Sequence, residues 1–329
     1  MTNNLYDITI IGGGPIGMFA GFYAGLRNAK AQIIESLPEM GGQVKALYPE
    51  KTILDVAGFA GLTGAELIAN LQEQLDTMTE VDQKVDTKVL NLKKVDAGFE
   101  ITTTKGVSYS KAVILAAGNG SFKPRELRAE NVDAVADKFI SYSVTNLEKF
   151  AGKDVMVAGG GDSAVDMALL LEKVANQVSI LHRRAEFRGL EHMIDKLNES
   201  SVQILTPYLI KRLDQVDDKL QVTAKKVKTD EETQFSVDEL VVNYGFISNN
   251  KDLQSFEVQP ELEHNLVKVN SELETSEPGL FSIGDQATYL GKDTLIATGL
   301  GEAPIAVNTI MKQLYPDRRL PIHSTSLHK

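Results

Sequence analysis

Two stretches of this chain carry glycines at a spacing suited to holding phosphate. Residues 8–36 read ITIIGGGPIGMFAGFYAGLRNAKAQIIES, and residues 155–183 read VMVAGGGDSAVDMALLLEKVANQVSILHR. Laid over one another at an offset of 147, they need no gap. Gly12 and Gly159 allow a tight turn. Gly14 and Gly161 let the backbone approach a pyrophosphate. Gly17, or Ala164 in the second copy, keeps a helix near a strand. Amides at the helix N-terminus then face the phosphates, and Asp162 and Ser163 follow Gly161 at that end of the second copy. One G-x-G-x-x-G is a weak signal; two in matching register are a strong one.

The copies differ at the position 23 residues past the first glycine, which is Glu35 in one and His182 in the other. A carboxylate there suits an unphosphorylated ribose. The second copy offers His182, Arg183 and Arg184 instead, with Arg188 close by in LHRRAEFR. Guanidinium forks bind a 2′-phosphate that a carboxylate would repel. Two unlike adenosine ends imply two dinucleotides: FAD fits the first copy and NADPH the second.

The elements that must position these residues follow from the pattern around them. Each copy reads as an apolar strand, a turn, a helix and a second apolar strand (QII at 32–34, SIL at 179–181), the βαβ unit of a parallel sheet. AVILAAG at 112–118 and LVVNYG at 240–245 read as later strands returning beneath each ligand. LFSIGDQA at 280–287 is a strand ending in Gly284 and Asp285. Residues 211–234 alternate charged and apolar residues, as a β-meander does. The expected class is α/β, with two Rossmann-like, three-layer ββα nucleotide-binding domains, the NADP domain inserted in the FAD domain. The expected boundaries are 1–117 with 246–329 for FAD and 118–245 for NADP. The Gly-, Asn- and Ser-rich links at 118–124 and 245–250 are expected to form a hinge.

The composition narrows the chemistry further. The chain has 329 residues, a formal net charge of -11 and no cysteine. Disulfides, thiolate metal sites and dithiol redox chemistry are excluded. Acidic balance argues against nonspecific nucleic-acid binding. Every apolar run is soon broken by glycine or charge, which predicts no membrane span. MTNNLYDITIIGGG lacks a basic segment ahead of its apolar run, so it does not read as a signal peptide. A cytoplasmic protein is expected.

Beyond these local readings, nearly the whole chain resembles the ferredoxin–NADP reductases built on the thioredoxin-reductase plan. The resemblance rests on ITIIGGGP, ESLPEMGGQVKALYPEK, DVAGF, AGNGSFKPR, GGGDSAVD, HRRAEFR, VNYGF, GDQATYLGK, LIATGLGEAP and HSTSL. Thioredoxin reductases carry a C-x-x-C ahead of the second glycine motif; here that place is Tyr142-Ser143-Val144-Thr145. With no thiol to receive them, electrons must leave the flavin directly for an outside acceptor.

The resemblance implies residue roles. Glu35 matches the adenosine-ribose carboxylate, Gln43 a flavin-loop residue, and Asp285 an aspartate beside the flavin's ribitol and phosphate. Tyr48 resembles the tyrosine stacked on one isoalloxazine face, and His323 the ring over the other. Ser324, Thr325 and Ser326 would lie at the flavin N5 and O4 edge, and Phe122 and Val89 would line the adenine or flavin pocket. The implied activity is hydride transfer between NADPH and FAD and single-electron transfer to ferredoxin or flavodoxin, with no strong acid or base needed. A homodimer is implied, its C-terminal segment covering a neighbour's flavin. Candidate docking cations are Lys123, Arg125 and Arg128, with Lys312, Arg318 and Arg319. An NADPH oxidase or quinone reductase is the alternative enzyme, and a non-catalytic flavin redox sensor the alternative outside enzymes.

Overall fold

The computed structural model describes residues 5–118, 120–249 and 255–318. The chain divides into two compact units. The first is Met1–Ala46, Ile53–Ser121 and Asn249–Lys329; the second is Leu47–Thr52 and Phe122–Ser248.

The first unit begins with strand β1 (Leu5–Ile11), helix α1 (Pro15–Leu26) and strand β2 (Ala31–Ile34). Both strands run parallel, with Ile10 opposite Ile33. Val81–Lys84 extends the sheet beyond β2, and Gly106–Leu115 pairs with β1 on the other side. That last strand is shared. Its first half pairs antiparallel with Gly98–Thr103, and its last three residues pair parallel with Leu280–Ser282. Helix α1 carries no charged residue, and Pro15 starts it where a missing N–H costs nothing. Its buried side is rich in small residues. A Cβ on Gly21 would come within 2.5 Å of Ile33, and one on Gly25 within 2.6 Å of Met78, so glycine sets how closely the helix can pack.

A buried polar layer lies within this unit. Gln32 donates to Thr9 Oγ1 at 2.8 Å and to Ser108 Oγ at 3.0 Å, and accepts from Lys84 Nζ at 2.6 Å. Every member has a partner, as buried polar groups require. The last long helix, Ile296–Leu314, packs its first turn against Ile16 and Gly284 through Gly299. Beyond its end, the Tyr315 hydroxyl donates to Asp7 Oδ1 at 2.6 Å, and Lys111 pairs with the same oxygen at 2.8 Å. Burial is the largest single influence on the Asp7 carboxyl and pushes its pKa up, but the hydrogen bonds from Lys111, Tyr315 and the Lys30 N–H, with the Lys111 charge, together hold it below its usual range.

The second unit repeats the plan with β3 (Asp154–Gly159), α2 (Asp162–Leu171) and β4 (Gln177–Leu181) in a five-stranded parallel sheet. Successive β3 side chains alternate between two cores, as a strand demands. Val155 and Val157 join Ala164, Val165, Ala168 and Leu171 of α2. Met156 and Ala158 face the other way, among Ile210, Leu213, Leu220 and Val222. Those four come from a three-stranded meander of Tyr208–Val216, Lys219–Lys226 and Glu232–Val237, where alternation had predicted one. Each fully buried Val or Leu contributes about 1.5–3 kcal/mol.

Two features differ from the expected boundaries. The links pair with one another, as strands Ser121–Pro124 and Phe246–Asn249, and the chain crosses between units within them, at 121/122 and 248/249, a few residues beyond the expected 117/118 and 245/246. Leu47–Thr52 groups with the second unit, where Lys51 makes an ion pair with Asp166 of α2 at 2.6 Å. Among the described residues, no helix is long and apolar enough to cross a membrane.

Candidate functional site: two nucleotide cradles

In the first unit, the turn after β1 is possible only with glycine. Gly12 has φ +112, and a Cβ there would overlap the Ala116 carbonyl. A Cβ on Gly17 would strike the Gly12 carbonyl oxygen, so α1 begins hard against the turn. Gly14 ends the turn in an extended conformation, with no side chain capping the helix. The first-turn amides are thereby left for a ligand. This is the arrangement the glycine spacing predicted.

Glu35 is buried directly behind the turn. Its Oε2 accepts from the Gly13 N–H at 2.7 Å, and its Oε1 from the Leu37 N–H at 2.8 Å and the Ser36 hydroxyl at 3.1 Å. Its own carbonyl accepts from the Thr87 N–H at 2.8 Å, two residues ahead of buried Val89. A carboxylate has about four acceptor sites, so Glu35 retains capacity for a ribose hydroxyl.

Three other segments meet this turn. Gly41 donates its N–H to the Gly13 carbonyl at 2.8 Å, and a Cβ on Gly42 would lie 2.9 Å from Gly14 Cα. Gln43 follows, its Nε2 3.7 Å from where a Gly118 Cβ would stand. The 3-10 turn Gly284–Gln286 brings Asp285 in, since Gly284 abuts Ile16 and Gln286 accepts from the Ala117 N–H at 3.1 Å. Asp285 is held above the usual carboxyl range, chiefly by burial.

The second unit builds the same cradle and pins a basic loop to it. Gly160 accepts the Arg188 N–H at 2.8 Å, and Asp162 Oδ1 accepts the Leu190 N–H at 2.9 Å. His182 donates its N–H to the Leu205 carbonyl at 3.0 Å. The loop is thus fixed at three points, while the side chains of Arg183, Arg184 and Arg188 stay exposed. The His182 ring packs against Gly160 and stacks on Phe187 at 5.5 Å. Its Nε2 is buried and has no hydrogen-bond partner among the described residues. Burial first, then Arg188, Arg184 and Arg183, hold this imidazole below its ordinary pKa.

Gly159 differs from Gly12 in its reason for being glycine. It lacks a left-handed φ; a side chain there would instead lie 2.5 Å from the Asn243 carbonyl oxygen and 2.6 Å from Ala164 Cβ. Asn243 itself donates to the Ser163 carbonyl at 3.0 Å, and its Oδ1 is buried without a partner among the described residues. Asn243 was not singled out from sequence, although VNYG placed its strand. Met40 was missed too; its sulfur lies where a Gly13 Cβ would be.

The glycine turns, Glu35, Gln43 and Asp285 therefore assemble in the first unit, to which Val89 also belongs. Gly159, Gly161, Asp162, Ser163, His182 and the three arginines assemble in the second. Tyr48 falls in Leu47–Thr52 and so with the second unit, where Lys51 Nζ lies 5.8 Å from its ring centroid. The candidate docking cations fall in different units: Lys123, Arg125 and Arg128 in the second, Lys312 and Arg318 in the first. His323, Ser324, Thr325, Ser326 and Arg319 lie outside the described residues, as does the side chain of Phe122.

The cradles fit dinucleotides on their own geometry: turns in which Gly12, Gly17 and Gly159 leave no room for a side chain, helix N-termini without a side-chain cap, and in the second cradle two buried polar atoms with no partner among the described residues. Comparison with known proteins agrees. Residues 6–309 match the family described as Pyridine nucleotide-disulphide oxidoreductase. The chain is 51% identical over 324 residues to a ferredoxin--NADP reductase of Lactiplantibacillus plantarum, covering 98% of both chains. It is 51% identical over 329 residues to that of Limosilactobacillus reuteri, covering 99% of both. For the Enterococcus faecalis protein of the same name the figure is 48%, over 98% of this chain and 96% of that one. Among solved structures, the T. acidophilum thioredoxin reductase matches with a TM-score of 0.83 at 22% identity, covering 95% of this chain and 99% of its own. Lactococcus lactis thioredoxin reductase matches at 0.79 and 25%, covering 93% and 98%. With two glycine cradles in one α/β chain and relatives that match from end to end, this chain belongs to the pyridine nucleotide-disulphide oxidoreductase family, beside its members named ferredoxin--NADP reductase.

Proposed function

We infer that the protein is an FAD-containing reductase that moves electrons between NADPH and a ferredoxin or flavodoxin. One observation carries this reading: two cradles of one design, the first closed by a buried carboxylate and the second by a pinned arginine loop, in a chain with no cysteine. FAD is proposed to be held through Gly12, Gly14, Gly17, Glu35, Gln43, Val89, Phe122 and Asp285. The second unit is proposed to hold NADPH through Gly159, Gly161, Asp162, Ser163, His182, Arg183, Arg184 and Arg188. When bound, FAD supplies the exchange between two-electron hydride chemistry and one-electron transfer.

The chain's own part is to bind and to exclude. The amides of the glycine turns and the helix N-termini hold the pyrophosphates. Glu35 orients one ribose, and Arg183, Arg184 and Arg188 grip the 2′-phosphate of the other nucleotide. Tyr48 and His323 are proposed to cover the two flavin faces, with Ser324, Thr325 and Ser326 at its N5 edge, limiting access of water and O₂. Nothing in this scheme calls for a strong acid or base; the residues hold two rings in register.

A homodimer in the cytoplasm is proposed, in which the C-terminal segment serves the neighbour's flavin. The Ile296–Leu314 helix is the last described element before that segment. It starts beside Gly284 and leads to Tyr315, tied to Asp7 far down β1 from the glycine turn.

The test is anaerobic mixing of the yellow protein with NADPH, followed by a ferredoxin or a flavodoxin. Bleaching of the flavin by NADPH and its return on adding the acceptor is the expected result. Bleaching followed by reoxidation with quinone or O₂ alone would favour a different acceptor. No bleaching at all would defeat the reading.

A further inference from the structure

Every buried residue of the helix Ile296–Leu314 is apolar or glycine except one. That one is Glu302, 3% exposed. A buried carboxylate is costly unless it is paired and hydrogen-bonded. Glu302 meets both conditions with three donors. Its Oε2 accepts the Gly284 N–H at 2.7 Å, and its Oε1 accepts the Tyr289 hydroxyl at 2.6 Å and the Lys292 ammonium. The Lys292 side chain is itself only 5% exposed. The pair is therefore sealed, and its charges are only weakly screened.

Its place in the fold gives it meaning. Gly284 adopts a left-handed φ of +70 and leads directly into Asp285, so the Glu302 carboxylate braces from behind the turn that presents Asp285. Three charges share this corner: Asp285, Glu302 and Lys292. Burial raises the Asp285 pKa most; Lys292 lowers it and Glu302 raises it further. The opposite charges of the ion pair offset one another at Asp285, so losing either alone leaves the other acting there without compensation.

We propose that Glu302, paired with Lys292, is a positioning residue of the flavin site, which fixes the Gly284–Asp285 turn through the Gly284 amide. The proposal rests on the reading that the first unit binds FAD with Asp285 beside its ribitol. An ionised Asp285 accepts hydrogen bonds from the sugar-alcohol hydroxyls with both oxygens, and a protonated one does so less well. FAD affinity should therefore fall on the acid side, with a midpoint that reports Asp285 and its two charged neighbours.

The experiment is titration of the flavin-stripped full chain with FAD, followed by flavin fluorescence across a range of pH. Glu302→Gln leaves Lys292 uncompensated beside Asp285, so the midpoint moves down by roughly one unit. Adding Lys292→Met removes the second charge and returns the midpoint to that of the parent. A residue that only fills space would weaken binding without moving the midpoint, and the second substitution would add damage rather than reverse it. A Glu302→Gln midpoint equal to the parent's, a double variant that fails to return, or a parent with no acid limb overturns the proposal. If Glu302→Gln does not fold, Lys292→Met alone decides: a midpoint above the parent's supports the proposal, and one at or below it overturns it. A parent that binds no FAD at any pH defeats the earlier reading instead.

Discussion

Glu35 and His182 occupy equivalent positions in the two units and treat the glycine beside them in opposite ways. Each follows the second strand of its βαβ unit and donates its N–H to the next strand, to Lys84 at 2.8 Å and Leu205 at 3.0 Å. Glu35 then turns its carboxylate onto the Gly13 amide at 2.7 Å. His182 lays its ring flat over Gly160 and keeps Nε2 unpartnered among the described residues. One cradle is closed by a hydrogen-bonded carboxylate and the other by a ring with a hydrogen-bonding atom unpartnered among the described residues.

Replacing Arg183 and Arg184 by Ala should weaken NADPH selectively. Each charge-assisted bond to a phosphate contributes about 1.5–3 kcal/mol, so KM for NADPH should rise roughly tenfold or more per arginine. KM for NADH, which lacks the 2′-phosphate, should barely change. Steady-state kinetics with both nucleotides checks this; an undiminished preference for NADPH would refute it.

Gly160→Ala should impair the second cradle and spare the first. Its new Cβ would collide with the His182 imidazole, which is held between Gly160 and Phe187 and cannot withdraw cheaply. NADPH affinity should fall while flavin content, read from absorbance at purification, stays at the parental level. Loss of both together would mean that the two cradles are not independent.

Glu35→Ala orphans the amides of Gly13 and Leu37. A buried donor without a partner costs about 1–3 kcal/mol. FAD should bind at least roughly tenfold more weakly, and the protein should melt at a lower temperature in its flavin-free form. Calorimetry of flavin-free parent and variant separates the two effects.

The depressed His182 pKa ties stability and NADPH affinity to pH. The unfolded chain takes up a proton here at a higher pH than the native one. The contribution of this group is therefore complete above the unfolded pKa and is lost as pH falls through the folded value. His182→Gln should flatten the acid side of the stability profile. A bound 2′-phosphate would raise the same pKa, so NADPH binding should draw in a proton below about pH 6.5. Calorimetric titration in buffers of differing ionisation enthalpy measures that proton. Its absence in the parent would show that the imidazole does not sense the phosphate.

Much of this was legible in the residues because it is local. Glycine spacing, the Glu35–His182 contrast and the meander alternation each depend on neighbours in sequence. What escaped was set by long-range packing. Asn243 and Met40 matter only because segments outside the glycine turns bring them to Gly159 and Gly13. Glu302 gave one faint sign, a lone acid on an apolar helix face, but its partners Gly284, Tyr289 and Lys292 were unreadable until the turn closed over it. Leu47–Thr52 was assigned by continuity to the first half, yet it packs with the other, where Lys51 pairs with Asp166.

The shared strand Gly106–Leu115 has a bearing on biosynthesis. Its final neighbour, Leu280–Ser282, emerges from the ribosome only after the entire second unit, roughly ten to thirty seconds later at ordinary elongation speed. Until then Val113–Leu115 presents an open sheet edge on a half-made chain. The nascent protein is most vulnerable to chaperone capture or self-association in that interval, and slowing translation across the insert should lower the yield of flavin-loaded enzyme.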